Sequence, residues 1–161
     1  MSTRPSRQDR LIFNVPVRGL AARLTVLMQR EVLTPAGLRV QEWRVLWSLA
    51  REGETHLREL ARRASVDASH VSRLAGKMEK AGLIERQIDP SDARRLLFAI
   101  TEKGKALYEE VRPQAIEMSR QFRDLYTDEE FDTLMDLLER AIHHADRVME
   151  SQGLDAATDP E

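Results

Sequence analysis

The chain has 161 residues, of which 42% are hydrophobic, 32% charged and 5% aromatic, which fits one globular domain with a substantial core. The absence of cysteine excludes disulfides, a cysteine nucleophile and a thiol redox sensor. The net charge of −2 is unevenly distributed along the chain. Residues 56–95 are basic, with nine Lys and Arg against six Asp and Glu. Residues 124–161 are acidic, with two Arg against twelve Asp and Glu. A basic segment suits a nucleic-acid partner if it lies on one face, although a mixed solvated surface would give the same totals.

No apolar run approaches the roughly 18 residues that a transmembrane helix needs. Residues 1–10 are polar, with no signal-peptide pattern, and are expected to form a flexible N-terminus. We therefore expect a cytoplasmic protein without a membrane partner.

Apolar residues recur at helical spacing from residue 11 to residue 33, which predicts an N-terminal helix that ends at the Pro and Gly of segment 34–37. A second helix is predicted over residues 40–51. Its apolar side carries Trp43, Leu46, Trp47 and Ala50. Thr55 is expected to cap a short third helix that ends near residue 64.

Asp67 is the predicted N-cap of the next helix, and Gly82 the residue that ends it. Two short helices joined by a tight turn are typical of a helix-turn-helix. Short polar side chains, an arginine and lysines are what a helix needs to read base edges and neutralise phosphates, although an ordinary solvated face has a similar composition. The outward face of the predicted helix carries Ser69, His70, Ser72, Arg73, Lys77 and Lys80.

Segments 83–88 and 96–100 predict a β-hairpin with a loop of six or seven residues. An arginine near such a tip can enter a narrow minor groove. Asp92 is expected to pair with Arg94 and to orient it, while Arg95 is expected to touch phosphate or solvent. Exposed ion pairs stabilise a fold by only about 0–1 kcal/mol, so stability alone explains this pair poorly.

Two long helices are predicted over residues 102–123 and 127–149, the first capped by Thr101 and the second by a capping box of Thr127 and Glu130. The last helix is apolar along one side, and a monomer offers little to cover it, so we expect a second copy of the chain to do so.

The predicted fold is therefore mainly α with a small β-hairpin wing. The expected parts are a flexible N-terminus (1–10), an N-terminal dimerisation helix and turn (11–39), a winged helix-turn-helix (40–100), C-terminal dimerisation helices (101–150) and a flexible acidic tail (151–161).

Residues 57–104 resemble the core of the MarR family of bacterial transcriptional regulators, and the similarity extends over about residues 20–150. The matching motifs are ELA (59–61), VSRL (71–74), MEKAGLIER (78–86), the Asp-Ala-Arg of 92–94 and the Thr-x-x-Gly of 101–104. The resemblance implies an obligate homodimer whose first and last helices intertwine and whose two wings and recognition helices bind a pseudo-palindromic operator. The family's DNA contacts fall on Ser69, His70, Ser72 and Arg73, and its wing arginine on Arg94.

The chain departs from the family pattern at two points. Many members have Ser or Thr before the second helix, where this chain has Arg39, so that helix is expected to lack its usual cap. Members that sense oxidants use a cysteine in the first helix, and this chain has none.

The family commonly binds small aromatic or phenolic anions between the dimer region and the winged domain. A tryptophan beside an arginine can stack on an aromatic carboxylate and pair with it. Packing of both tryptophans in the core is the alternative. The candidate pocket residues are Trp43, Arg44, Trp47 and His56.

An enzyme is not expected, because the chain has no Gly-rich phosphate loop or nucleophile motif, and no cofactor is predicted. The last helix carries Glu139, His143, His144 and Asp146, but no second helix supplies matching metal ligands, and a solvated face explains them. A winged module that binds protein instead of DNA stays an alternative; it predicts loss of the exposed basic residues, which this chain retains.

Overall fold

The computed structural model describes residues 12–154, so the predicted flexible N-terminus and most of the predicted acidic tail lie outside the described residues. A π-helical segment, Met28–Leu33, continues the first helix. None of the helices between residues 12 and 154 has both the length and the apolarity to cross a bilayer. The elements are, in chain order, α1 (Asn14–Leu27), α2 (Val40–Glu52), β1 (Thr55–His56), α3 (Leu57–Ala64), α4 (Ala68–Lys80), β2 (Ile84–Asp89), β3 (Asp92–Ile100), α5 (Glu102–Arg123) and α6 (Asp128–Ser151).

The core lies where the π-helical segment, α2, α3, α4 and α5 meet the sheet. Trp43 of α2 stacks on Tyr108 of α5, with 5.4 Å between ring centroids, and so joins the helix-turn-helix to the long helix that follows the wing. The largest fully buried apolar side chains are Leu33, Leu46, Leu49, Leu60, Met78 and Ile84. The structure confirms the mainly helical fold with a small antiparallel sheet.

The predicted N-caps of α4, α5 and α6 are present. The side chains of Asp67, Thr101 and Thr127 each accept a hydrogen bond from the backbone N–H three residues onward, at 2.9, 3.0 and 3.3 Å. As expected, Arg39 supplies no side-chain cap for α2. Its backbone N–H instead donates to the Glu42 carboxylate at 2.7 Å, so the first turn of α2 is closed from inside the helix.

The predicted cap of α3 is wrong. Thr55 is buried in β1, where it pairs with Phe98 of β3, and His56 occupies the N-cap position of α3. Thr55 is drawn into the sheet by a strand more than 40 residues away in sequence, which a local capping pattern does not reveal.

The wing loop between the strand ends is shorter than the predicted six or seven residues, although the regular pairing of the two strands stops at Ile88 and Leu96, the ends of the predicted segments. The three strands are antiparallel in the order β1-β3-β2, and only Pro90 and Ser91 separate β2 from β3. Asp92, Arg94 and Arg95 therefore belong to the start of β3 rather than to a long loop. Their polar side chains favour a loop assignment in sequence, whereas the strand already begins at Asp92, which pairs with Asp89 of β2.

Candidate nucleic-acid interface

One face of α4 is free for a partner because the other face is used by the core. Val71, Leu74, Ala75 and Met78 are buried at helical spacing and hold α4 against α3 and the sheet. The structure brings the predicted recognition residues together on the opposite, exposed face. These are Ser69, His70, Ser72, Arg73, Lys77 and Lys80.

The first turn of α4 is held in a defined conformation by Asp67. Its carboxylate accepts hydrogen bonds from the Ser69 hydroxyl and from the His70 backbone N–H. These bonds, that of Ser69 first, lower the pKa of Asp67 below its ordinary value, so the cap stays ionised at neutral pH. The Ser69 oxygen keeps its acceptor capacity toward a partner, because its own proton is already engaged.

The exposed cations of this surface lie outside ion-pair distance of every carboxylate in the described part of the chain. Arg73 and Lys77 of α4 and Arg94 and Arg95 of β3 form no ion pair with any described carboxylate. Cations without an ion-pair partner are available to an anionic partner such as a phosphate backbone.

The wing tip contains a bulge that carries the two arginines. Ile88 pairs with Leu96, but the next residue of β2, Asp89, pairs with Asp92, so residues 93–95 of β3 have no partner in the register. A bulge of this kind re-aims side chains away from the regular alternation of a strand. Arg94 and Arg95 are both exposed there.

Asp92 does not orient Arg94 in the predicted way. Its carboxylate accepts a hydrogen bond from the Arg94 backbone N–H at 3.0 Å, and no ion pair joins the two side chains. The short side chain of Asp92 reaches the amide two residues onward, as in an Asx-turn, and leaves the guanidinium free. Asp92 thus stabilises the backbone of the bulge and does not orient the guanidinium group of Arg94.

Sequence reasoning missed a residue that joins the wing to α4. The Nε atom of Arg86, in β2, lies 3.2 Å from the Glu79 carboxylate of α4, and its guanidinium lies 5.5 Å from the centre of the Phe98 ring. Arg86 therefore joins β2 to α4 through a charge pair and contacts β3 through a cation–π interaction. The residues belong to three elements, and no spacing in the sequence signals their meeting.

A cleft of about 500 Å³ lies between α2, α5 and the start of α6. Trp43 and Trp47 both line it, Trp43 as a buried residue and Trp47 with 43% of its surface exposed, so Trp47 is not the core residue that the apolar stripe predicts. Arg44 instead borders a smaller adjoining pocket of about 290 Å³. His56 lines neither of these spaces, because it lies beside the wing, 3.0 Å from Asp89.

The cleft combines aromatic rings with guanidinium groups that the sequence did not single out. The arginines are Arg51, Arg112, Arg120 and Arg123, and the further rings are Tyr108 and Phe131. Arg112, Arg120 and Arg123 each contact a carboxylate of their own or the next helix. Arg51, four residues after Trp47, forms no ion pair with a described residue, which leaves it free for an anion.

The acidic and histidine side chains of α6 do not form a metal site in the described chain. Asp146 lies 3.6 Å from Arg62 of α3, and no three His, Asp or Glu side chains converge between residues 12 and 154.

The chain is similar to known regulators in both sequence and fold. The model of the MarR family matches residues 38–96. The chain is 30% identical to the HTH-type transcriptional regulator FarR of Neisseria gonorrhoeae over 120 residues, 74% of this chain and 82% of FarR. It is 31% identical to the homoprotocatechuate degradative operon repressor of Escherichia coli over 113 residues, 70% of this chain and 76% of that one. The solved structure of NadR with 4-hydroxyphenylacetate has a TM-score of 0.75 and 25% identity, covering 88% of this chain and 96% of that one.

Proposed function

Since this chain belongs to the MarR family of transcriptional regulators, we propose that it binds a pseudo-palindromic DNA operator as a homodimer in the cytoplasm and represses transcription. One observation carries the proposal: Arg73 and Lys77 on the exposed face of α4, and Arg94 and Arg95 of the wing, form no ion pair with a carboxylate of the described residues. In this proposal α4 enters the major groove and the wing follows the backbone into the adjacent minor groove.

The residues of the proposed interface have different roles. Ser69, His70, Ser72 and Arg73 lie in the first half of α4, where short side chains let the helix approach base edges and an arginine can pair with guanine. Lys77 lies one turn later and neutralises phosphate. Arg94 enters the minor groove, and Arg95 contacts the phosphates beside it.

The proposed function is tested by operator binding with single-residue variants, measured by fluorescence anisotropy at several salt concentrations. Arg94→Ala weakens binding to all sequences and lowers the salt slope by about 1, since one phosphate-region cation is lost. Arg73→Ala relaxes the sequence preference at one base pair by about 1–3 kcal/mol. Arg39→Ala, which removes an exposed arginine at the start of α2, is the matched control and leaves affinity unchanged. Unchanged operator affinity in both Arg73→Ala and Arg94→Ala contradicts the assignment.

We propose further that the cleft binds a small aromatic or phenolic anion that releases the operator. Trp43 and Trp47 offer faces for an aromatic ring and Arg51 a free guanidinium for a carboxylate. The ligand acts by favouring a dimer whose recognition helices no longer match the groove spacing. A hundredfold loss of operator affinity needs a coupling free energy of about 2.7 kcal/mol.

The ligand proposal is tested by tryptophan fluorescence, because the chain has two tryptophans and both line the cleft. Titration with 4-hydroxyphenylacetate, the molecule bound in the NadR structure, is expected to change the emission saturably. The neutral amide of the same compound and the Arg51→Gln variant bind more weakly. A response that is equal for the acid and its amide contradicts the role of Arg51.

A further inference from the structure

The last residue of β2 holds the wing turn through its side chain. Asp89 is 7% exposed, and one carboxylate oxygen accepts hydrogen bonds from the Ser91 backbone N–H at 2.7 Å and from the Ser91 hydroxyl at 2.6 Å. The other oxygen lies 3.0 Å from Nε2 of His56. The Ser91 hydrogen bonds are the main cause that lowers the pKa of Asp89, with a smaller contribution from the nearby Arg95, so the carboxylate is ionised at neutral pH.

His56 connects this turn to the helix-turn-helix. It occupies the N-cap position of α3 and pairs with Leu97 of β3 through β1. Its side chain is largely buried, with 23% of its surface exposed. The imidazole therefore spans from the start of the first helix of the pair to the far end of β2.

Arg94 lies beyond the last regular pair of the two strands, because the regular pairing of β2 with β3 stops at Ile88 and Leu96. Beyond that point the described chain is held by the Asp89–Asp92 pairing, by the side-chain bonds of Asp89, and by the bond from the Arg94 amide to Asp92. A continuous set of polar contacts thus runs from α3 to the residue that the proposed function places in the minor groove.

We propose that His56 is a positioning residue for DNA binding, which holds the wing tip through Asp89 so that Arg94 is already directed at the duplex. The inference rests on the proposed function. With His56 in place the wing is ordered before binding. Without it, part of the binding free energy is used to order the wing on the DNA.

The test is a double-mutant cycle of His56→Ala and Arg94→Ala, measured as operator affinity of the full chain. His56→Ala alone is expected to weaken binding about three- to tenfold, the scale of ordering one or two side chains. In the Arg94→Ala background the same substitution changes affinity less than about twofold, because the residue being positioned is gone. His56→Gln restores most of the affinity, since its amide nitrogen can donate to Asp89. Equal losses in both backgrounds overturn the proposal.

Two further measurements separate this inference from folding defects and from failure of the proposed function. Ser91→Ala, a change in the exposed turn, removes one hydrogen bond to Asp89 and is expected to show the same dependence on Arg94. Hydrogen exchange without DNA is expected to accelerate at the Ser91 and Arg94 amides of His56→Ala, with the core amide of Leu46 unchanged. If the parent chain binds no DNA, the proposed function fails while faster exchange at the wing still supports His56 as its anchor. Unchanged wing exchange overturns the anchor itself.

Discussion

Gly104 lies where α5 approaches the turn after α4 so closely that a methyl side chain would not fit. A Cβ atom there would lie 2.0 Å from the carbonyl oxygen of Leu83, far inside contact distance. That oxygen cannot retreat freely, because it accepts a hydrogen bond from the Thr101 N–H at 3.2 Å, and the Thr101 hydroxyl donates to the Gly82 carbonyl at 2.6 Å. The Thr-x-x-Gly motif is therefore a close approach between the start of α5 and the turn after α4.

We predict that Gly104→Ala lowers the free energy of unfolding by about 3 kcal/mol or more, since overpacking against a fixed backbone forces α5 away from the sheet. Urea denaturation measures the loss. Gly19→Ala in α1 is the matched control, because its Cβ would meet only the flexible end of Arg23, and the better helix propensity of alanine makes it neutral or stabilising. Equal stability of Gly104→Ala and the parent chain contradicts the close approach.

The exposed wing shows how far single residues can be interpreted from sequence. The spacing of Asp92 and Arg94 correctly marks two residues that interact, but the contact is made by the backbone of Arg94. The spacing of two residues in sequence predicts that they lie close together, but not which of their atoms interact. The pairing of His56 with Asp89 has no local pattern at all, because 33 positions separate the two residues and the sheet brings them together.

At the scale of elements, α3 is bound to its neighbours by a cluster of charges. Glu59 accepts hydrogen bonds from Arg62 at 2.6 Å and from Arg63 at 2.8 Å, and Arg63 also lies 3.1 Å from Glu52 of α2. The hydrogen bond from Arg62, followed by that from Arg63, lowers the pKa of Glu59 to about 2. A carboxylate whose pKa is depressed in the folded state stabilises it above the unfolded pKa and loses this effect as the pH falls.

We predict that Glu59→Gln lowers the free energy of unfolding by up to about 1 kcal/mol at pH 7, a value limited by the partial exposure of the cluster. The difference in the free energy of unfolding between the variant and the parent chain becomes smaller as the pH falls from about 4.5 toward 2, because the carboxylate of the parent chain also becomes protonated there. Urea denaturation at pH 7, 4 and 3 measures this, with Glu110→Gln on the exposed side of α5 as control. A difference that stays constant across this range contradicts the assignment.

Helices were more predictable than strands in this chain. Asp67, Thr101 and Thr127 fix three helix starts within their own sequence neighbourhood, and a capping pattern of four residues is enough to find them. β1 owes its conformation to pairing with residues of β3 that lie more than 40 positions further along the chain, and Asp92 at the start of β3 pairs with Asp89 of β2. The cleft arginines were missed for the same reason, since α2 and α5 must pack before Arg51 and Arg112 share a surface.

At the scale of the molecule, α6 has 24 residues and none of them is buried in the described chain. Leu137, Leu138 and Ile142 are exposed on it, and Val17 and Leu20 are exposed on α1. Apolar surface of this extent on two helices is what a twofold partner would cover. The sequence also indicates a partner, because the last helix carries more apolar residues along one side than the rest of one chain can cover.

We predict that the parent chain sediments as a dimer at micromolar concentration and that Ile142→Glu sediments as a monomer, since a buried unpaired charge opposes association. Ile142 is 59% exposed in the single chain. Ile88→Glu in the wing, where the apolar residue is exposed to a similar extent at 65%, is the control and leaves the mass unchanged. A folded monomer of the parent chain contradicts the dimer.

Under the proposed function, two copies of this chain read one DNA site through paired α4 helices and wings. Selection of bound duplexes from a random pool with the full-length chain tests it most directly. We expect enrichment of an inverted repeat whose half-site centres lie about 34 Å apart, one turn of DNA, with two chains bound per duplex. Failure to enrich any sequence, or enrichment of a single half-site bound by one chain, contradicts it.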